Sequence, residues 1–326
     1  MTSSRPNTRQ PHPGPMDVLQ ELAMAVVQGR VTSRRELERL KRELASRGGL
    51  ARVPTDAEIL ATISGGVPER ARTLLVTKPS RSLSGVTVVA VMAPPSSCPH
   101  GRCAYCPGGV ETGTPQSYTG REPAARRAAR ADYDGGRQTV DRLEQLAGAG
   151  HPTDKVELVV MGCTFPAQDA SRRDAFIRGC LEVMNAYPSP SLPAAISANG
   201  EAPHRCVALT LETRPDLCDP AGVDQRLAMG ATRVEIGVQV TVDGPLELVG
   251  RGHGVSESVE ATRNLKDAGL KVGYHLMLGL PGMTPAEDLR SLRRVVEDPA
   301  FRPDLLKLYP TLVMEGTALH RWGGEG

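Results

Sequence analysis

From residue 86 onward the sequence alternates short apolar, β-branched runs with amphipathic stretches, six times over, and this alternation constrains the fold more than any other feature. The runs fall at 86–92, 156–161, 206–211, 233–240, 271–278 and 305–312. The amphipathic stretches fall at 122–132, 138–147, 172–187, 223–229, 256–268 and 286–296. Repeated strand and helix in this order imply right-handed crossovers and a parallel sheet covered by helices. Six units are too few to close an eight-fold barrel. The expectation is an α/β fold, an open partial (β/α)6 barrel, with functional groups gathered at the C-terminal ends of its strands.

Ahead of the barrel the pattern differs. Residues 1–15 are rich in Pro, Ser, Asn and Gln with almost no aliphatic content, so they bury too little surface to offset their ordering entropy, and a disordered tail is expected. Apolar residues at helical spacing predict helices over 16–28 (Val18, Leu19, Leu22, Val26) and 33–46 (Leu37, Leu40, Leu44), the second with Ser33 as N-cap. Residues 16–77 therefore read as a small helical N-terminal extension, 78–320 as the barrel and 321–326 as a tail. The second helix carries Arg34, Arg35, Arg39, Lys41, Arg42 and Arg47 among Glu36, Glu38 and Glu43. It reads either as a solvated face laced with ion pairs or as a phosphate-contacting surface.

Composition narrows the function classes. The 326 residues hold 39 Lys+Arg against 37 Asp+Glu and are 40% hydrophobic, which is ordinary for a globular chain. No run approaches the roughly 18 apolar residues of a membrane span, and the N-terminus lacks the apolar stretch of a signal peptide. A soluble cytoplasmic protein without a membrane partner is the expectation. Aromatic residues are only 3%, so any nucleic-acid contact must lean on Arg and Lys.

Three of the seven cysteines lie in one nine-residue segment, Cys98-Pro-His-Gly-Arg-Cys103-Ala-Tyr-Cys106, directly after the first predicted strand. That is a poor disulfide framework and a good metal-ligand cluster. With His100 as a fourth ligand the segment reads as a structural zinc site. With three thiolates alone it reads as a four-iron, four-sulfur cluster that keeps one iron open for a substrate or cofactor. A chance grouping of free thiols is the third reading. Cys180, Cys206 and Cys218 read as small buried residues.

The segment resembles the radical S-adenosylmethionine enzymes, in which three cysteines of one loop bind a [4Fe-4S] cluster and S-adenosylmethionine takes the fourth iron. The commonest family spacing is three and then two intervening residues; here it is four and then two. The longer loop, with Cys-Pro-His before it and Tyr-Cys-Pro-Gly-Gly after it, resembles the catalytic subunit of Elongator and its single-chain counterparts, the tRNA uridine carboxymethyltransferases. Further blocks carry the same resemblance, among them Lys78-Pro-Ser-Arg81, Pro115-Gln-Ser-Tyr-Thr-Gly120, His151-Pro-Thr-Asp-Lys155, Leu211-Glu-Thr-Arg-Pro-Asp216, Glu235-Ile-Gly-Val-Gln239, Arg251-Gly-His253 and Leu308-Tyr-Pro-Thr-Leu312.

The resemblance implies a set of roles. Cys98, Cys103 and Cys106 would ligate the cluster. Gly162 and Thr164, in Met161-Gly-Cys163-Thr-Phe165, would receive the methionyl end of S-adenosylmethionine, with Cys163 standing where the family has a second glycine. Glu212 and Gln239, at the ends of the third and fourth strands, would hold its ribose and amino groups. Lys155 lies in the block that resembles the acetyl-CoA contact. Lys78 and Arg81, the basic N-terminal helix and Arg121, Arg126, Arg127 and Arg130 would bind tRNA, with Tyr105 and Tyr118 as candidate stacking platforms. His275, in the fifth strand, is either a core histidine or a ligand. Acetyl-CoA would be the co-substrate. The family's acetyltransferase-like domain has no counterpart before Gly326, so a separate acetyltransferase partner or domain is implied.

Overall fold

The computed structural model describes residues 14–63, 67–162 and 165–324, so most of the expected N-terminal tail lies outside the described residues. The chain divides into two compact units, residues 1–87 with 143–153, and residues 88–142 with 154–326. Segment 143–153, read from sequence as part of the barrel, groups with the N-terminal unit.

The N-terminal unit is helical: α1 (Pro15–Val27), α2 (Arg34–Arg47), α3 (Asp56–Thr62) and α4 (Glu69–Leu75). Val18, Leu22, Val26, Leu37, Leu44, Ile59 and Leu75 form its core. Ser33 caps α2 by accepting the Glu36 N–H while Glu36 reaches back to the Ser33 N–H, a capping box that satisfies two otherwise orphaned donors. The charges of α2 are largely spent inside this unit. Lys41, only 5% exposed, pairs with Asp56 and Glu38, each at 3.0 Å, and Arg34 takes the other Asp56 oxygen. Arg47 pairs with Glu21. Arg35, Arg39 and Arg42 stay exposed.

The second unit carries the sheet. Its elements run β1 (Thr87–Met92, whose first residue falls in the other unit), α5 (Pro123–Arg130), α6 (Gly135–Gly148, whose residues from Leu143 on fall in the other unit), β2 (Lys155–Met161), α7 (Ala170–Asn185), α8 (Leu192–Ala198), β3 (Arg205–Thr213), α9 (Pro220–Ala228), β4 (Arg233–Gln239), α10 (Asp243–Leu248), α11 (Val255–Asp267), β5 (Lys271–Leu278), α12 (Pro285–Glu297), β6 (Leu305–Pro310) and α13 (Ala318–Gly324). Six parallel strands in sequence order β1 to β6 curl into a half-barrel flanked by helices, the α/β architecture expected. All six predicted strands are present. The last helix runs to Gly324, where the sequence suggested a tail from 321; the apolar anchor Leu319, 8% exposed, packs it down.

Parallel strands covered on both faces are near-continuously apolar. That holds for β4, in which every residue after Arg233 is buried. A carboxylate there, Glu235, is the conspicuous exception. Register places Glu212 of β3 beside Glu235 of β4, and His275 of β5 beside Lys307 of β6. Four polar side chains thus come from four successive strands onto one region of the sheet. β6 at the sheet edge is largely exposed, with Leu308 at 50% and Tyr309 at 44%.

Candidate active site

The cysteine loop leaves the C-terminal end of β1. Two tight turns shape it: the Gly101 N–H donates to the Cys98 carbonyl at 3.1 Å, and the Cys106 N–H donates to the Cys103 carbonyl at 3.0 Å. Gln116 clamps the first turn, accepting from the Cys98 N–H at 3.1 Å and donating to the Gly101 carbonyl at 2.6 Å. All three cysteines are buried, Cys98 at 8%, Cys103 at 2% and Cys106 at 4% exposure.

Cys103 is the focus of the local electrostatics. Hydrogen bonding with the Cys106 thiol holds it well below the usual thiol range against burial, and the Arg251 charge acts in the same direction. His100 Nε2 lies 3.2 Å from the Cys103 sulfur, and Arg251 Nη1 donates to that sulfur at 3.9 Å. Arg214, fully buried, places Nη1 3.1 Å from the same His100 nitrogen. A guanidinium only donates, so Nε2 turns its lone pair to Arg214. That leaves His100 poorly set to serve as a zinc ligand. Three buried thiols, one of them strongly acidic and ringed by basic groups, fit a three-thiolate iron-sulfur cluster better than a closed four-ligand zinc site.

Beside the loop, β2 ends at Gly162, whose φ of +113° is a conformation that side chains resist. Its N–H donates to Glu212 Oε2 at 3.0 Å, and the Tyr118 hydroxyl donates to the same oxygen at 3.2 Å. Glu212 is 7% exposed at the end of β3. Gln239 ends β4 in the left-handed region at φ +69°, a strained position for a residue with a side chain, costing on the order of 1 kcal/mol. Cys163 and Thr164 lie outside the described residues. The structure therefore brings Gly162 and Glu212 into contact, with Gln239 ending the neighbouring strand.

Lys155 stands apart. It begins β2, exposed, at the opposite end of the strand from Met161, roughly 20 Å away at a strand's rise per residue. Lys78 and Arg81 are exposed in the N-terminal unit, flanking and within a short 3-10 turn, with Lys78 at φ +58°. Tyr105, 8% exposed, is buried beneath the loop, where burial pushes its hydroxyl up; it offers no open stacking face. Cys180 and Cys218 are buried as expected and Cys206 is half-buried; burial raises all three thiols, to about 12, 11 and 11 for Cys180, Cys218 and Cys206.

Three site residues escaped the sequence reading: Glu235, Lys307 and Arg251. Burial alone would raise the Glu235 carboxyl; bonds from His275 Nε2 at 2.8 Å and from Lys307 to its Oε2 outweigh that and hold it down at about 2. Arg233 Nε lies 3.4 Å from the other oxygen. His275 is thus hydrogen-bonded to Glu235 within the sheet. Glu212, Glu235 and His275 bring their ligand atoms within 4.8 Å of one another, but the Lys307 ammonium already supplies the positive charge this group calls for. The available signal for Glu235 and Lys307 was a charge inside an otherwise apolar strand; Arg251 lies in the turn after α10.

Residues 93–295 match the radical SAM superfamily, and residues 16–83 match the ELP3 N-terminal domain. The chain is 46% identical over 303 residues to the tRNA uridine(34) acetyltransferase of Methanocaldococcus jannaschii, covering 91% of this chain and 56% of that protein. It is 41% identical over 322 residues to mouse Elongator complex protein 3, covering 95% and 58%. It thus spans a little over half the length of these relatives. A solved structure of Methanocaldococcus infernus Elp3 with an N-terminal deletion superposes with a TM-score of 0.63 at 42% identity, covering 74% of this chain and 49% of that one. Among the described residues, no helix is long and apolar enough to cross a membrane. The chain belongs to the radical SAM superfamily, in the branch that carries an ELP3 N-terminal domain.

Proposed function

We propose that this chain is the radical half of an enzyme that modifies uridine 34 of tRNA, building a 5-carboxymethyl group from acetyl-CoA. The observation that supports the reading is that Cys98, Cys103 and Cys106 are all buried in one loop at the C-terminal end of β1, with the Cys103 and Cys106 thiols hydrogen-bonded to one another. Those thiolates would hold a [4Fe-4S] cluster. The bound cluster, with S-adenosylmethionine on its open iron, supplies one-electron cleavage of a sulfonium and so a hydrogen-abstracting radical.

The chain's own residues position and shield. Gly162 and Thr164 would offer backbone and hydroxyl groups to the methionyl end of S-adenosylmethionine, Glu212 would accept from its hydroxyl or amino groups, and Gln239 would bond the same ligand from the neighbouring strand. Glu235, His275 and Lys307 form a polar island in the same sheet, where the His275 and Lys307 nitrogens would donate to a polar substrate and the Glu235 carboxylate would accept from it. Lys78, Arg81 and the exposed arginines of α5 would contact tRNA phosphates. Binding of acetyl-CoA and hydrolysis of its thioester fall to an acetyltransferase domain or partner. A cytoplasmic setting follows from the tRNA substrate.

Anaerobic reconstitution tests the reading. On the order of four irons and four sulfides per chain are expected, with visible absorption that S-adenosylmethionine perturbs. Cys98→Ser, Cys103→Ser and Cys106→Ser should each abolish the cluster. A protein that takes up stoichiometric zinc and no iron under the same treatment would replace this reading with a structural zinc site.

A further inference from the structure

Two segments that the proposed chemistry leaves unused meet at one sulfur: the four-residue spacer between Cys98 and Cys103, and the Arg251-Gly252-His253 turn that follows α10. Gly252 lies at φ +73°, and a Cβ there would stand 2.6 Å from His100 Cβ and 2.8 Å from its Cγ. The turn is shaped to admit that ring. His100, within the spacer, places Nε2 3.2 Å from the Cys103 sulfur.

Two guanidinium groups converge there. Arg251, 4% exposed, is anchored by Nη2 donating to the Gly237 carbonyl in β4 at 2.8 Å, which aims Nη1 at the Cys103 sulfur 3.9 Å away. Arg214 stands one imidazole further out, its Nε 2.9 Å from Asp216 and its Nη1 on His100. Its Nη2 is buried with no acceptor among the described residues. Bringing guanidinium groups out of water costs several kcal/mol each unless negative charge meets them. Asp216 supplies one such charge, and a ligated Cys103 thiolate would supply another.

We propose that Arg251, with Arg214 behind His100, is a positioning residue that raises the reduction potential of the cluster held at Cys103. Reduction adds one electron from an external reductant and removes no ligand, so the site becomes more negative by one charge. Fixed positive charge beside one thiolate, in a medium less polarisable than water, stabilises that form over the oxidised one. The inference rests on the three thiols being cluster ligands.

The test compares full-length wild type with Arg251→Lys, Arg251→Gln and Arg214→Gln, each reconstituted anaerobically, assayed for iron and sulfide, and titrated with dithionite under paramagnetic-resonance detection. At the wild-type midpoint, Arg251→Gln should show about a tenfold lower ratio of reduced to oxidised cluster, equivalent to about 59 mV for a one-electron couple. Arg214→Gln should shift the ratio the same way by less, and Arg251→Lys should restore it to within about twofold. A full iron complement in Arg251→Gln with an unchanged ratio would overturn the proposal. So would loss of iron from both Arg251→Gln and Arg214→Gln, which would assign these residues a purely structural role. A wild type that takes up no iron would instead remove the cluster reading itself.

Discussion

Tyr118 donates its hydroxyl hydrogen to Glu212 Oε2 at 3.2 Å, joining the loop behind the cysteines to the end of β3. The same oxygen accepts the Gly162 N–H at 3.0 Å, so one carboxylate ties the ends of β2 and β3 to the cysteine loop. Both donors share one oxygen; in the proposed site the other would accept from the ligand.

Tyr118→Phe removes one of those donors and leaves the packing of the ring. A hydrogen bond to a charged group is worth about 1.5–3 kcal/mol, which bounds the loss of S-adenosylmethionine affinity at roughly ten- to a hundred-fold. Because Gly162 still holds Glu212, the expected effect is at the low end of that range, and Glu212→Gln should cost more. Calorimetric titration of reconstituted protein measures both. Wild-type affinity in the two variants would disconnect this carboxylate from the ligand.

Glu235 makes folding sensitive to acid. Its carboxyl is held down at about 2 in the folded chain against an ordinary value of 4.5. The folded state therefore favours the ionised form, and its contribution is full above about 4.5 and lost as pH falls toward 2. The size is on the order of 3 kcal/mol. Denaturant midpoints should fall between pH 5 and pH 3 in wild type and fall less in Glu235→Gln. That variant should also be less stable at pH 7, because it leaves the Lys307 ammonium half-buried without its counter-charge.

The half-barrel was legible because strand and helix patterns at this length need little tertiary context: all six strands fell within two residues of their expected ends. The short helices α3, α4, α8, α10 and α13 were not, since six or seven residues give too few turns for an apolar stripe to stand out. The grouping of the cysteines in one loop after β1 was legible from spacing, while their reading as cluster ligands came from the family resemblance. Glu235 and Lys307 were not, because their meaning lies in register: only pairing of β3 with β4 and of β5 with β6 puts Glu212, Glu235, His275 and Lys307 together. Lys155 belongs to a block that resembles the family, and the fold places it at the start of β2, a strand's length from Met161.

Gly252→Ala should damage the site without touching a ligand. The added Cβ meets His100 2.6 Å away, and the backbone at φ +73° resists a side chain on its own account. Strain of this kind costs about 1–3 kcal/mol, enough to lower the melting temperature by a few degrees in a chain of this size. The ring of His100 is the softer partner, so the displacement should pass to Cys103 and appear as reduced iron retention. Melting curves and iron analysis on one preparation separate the two effects; unchanged iron with a lowered melting point would confine the damage to the turn.

Salt dependence tests the nucleic-acid surface. Arg126 and Arg130 are exposed on α5, whereas Arg137 nearby is engaged with Asp132 at 2.6 Å. Each arginine that neutralises a phosphate releases counterions on binding, so its removal reduces the slope of log affinity against log salt by about 0.7–0.9. Arg126→Ala and Arg130→Ala should each flatten the slope by about that amount, as should Lys78→Ala and Arg81→Ala in the N-terminal unit. Arg137→Ala, whose charge is already spent, should leave it within error. Filter binding of unmodified tRNA from about 50 to 200 mM salt provides the measurement. If Arg137→Ala flattened the slope as much as Arg126→Ala, general charge rather than a defined surface would be binding the RNA.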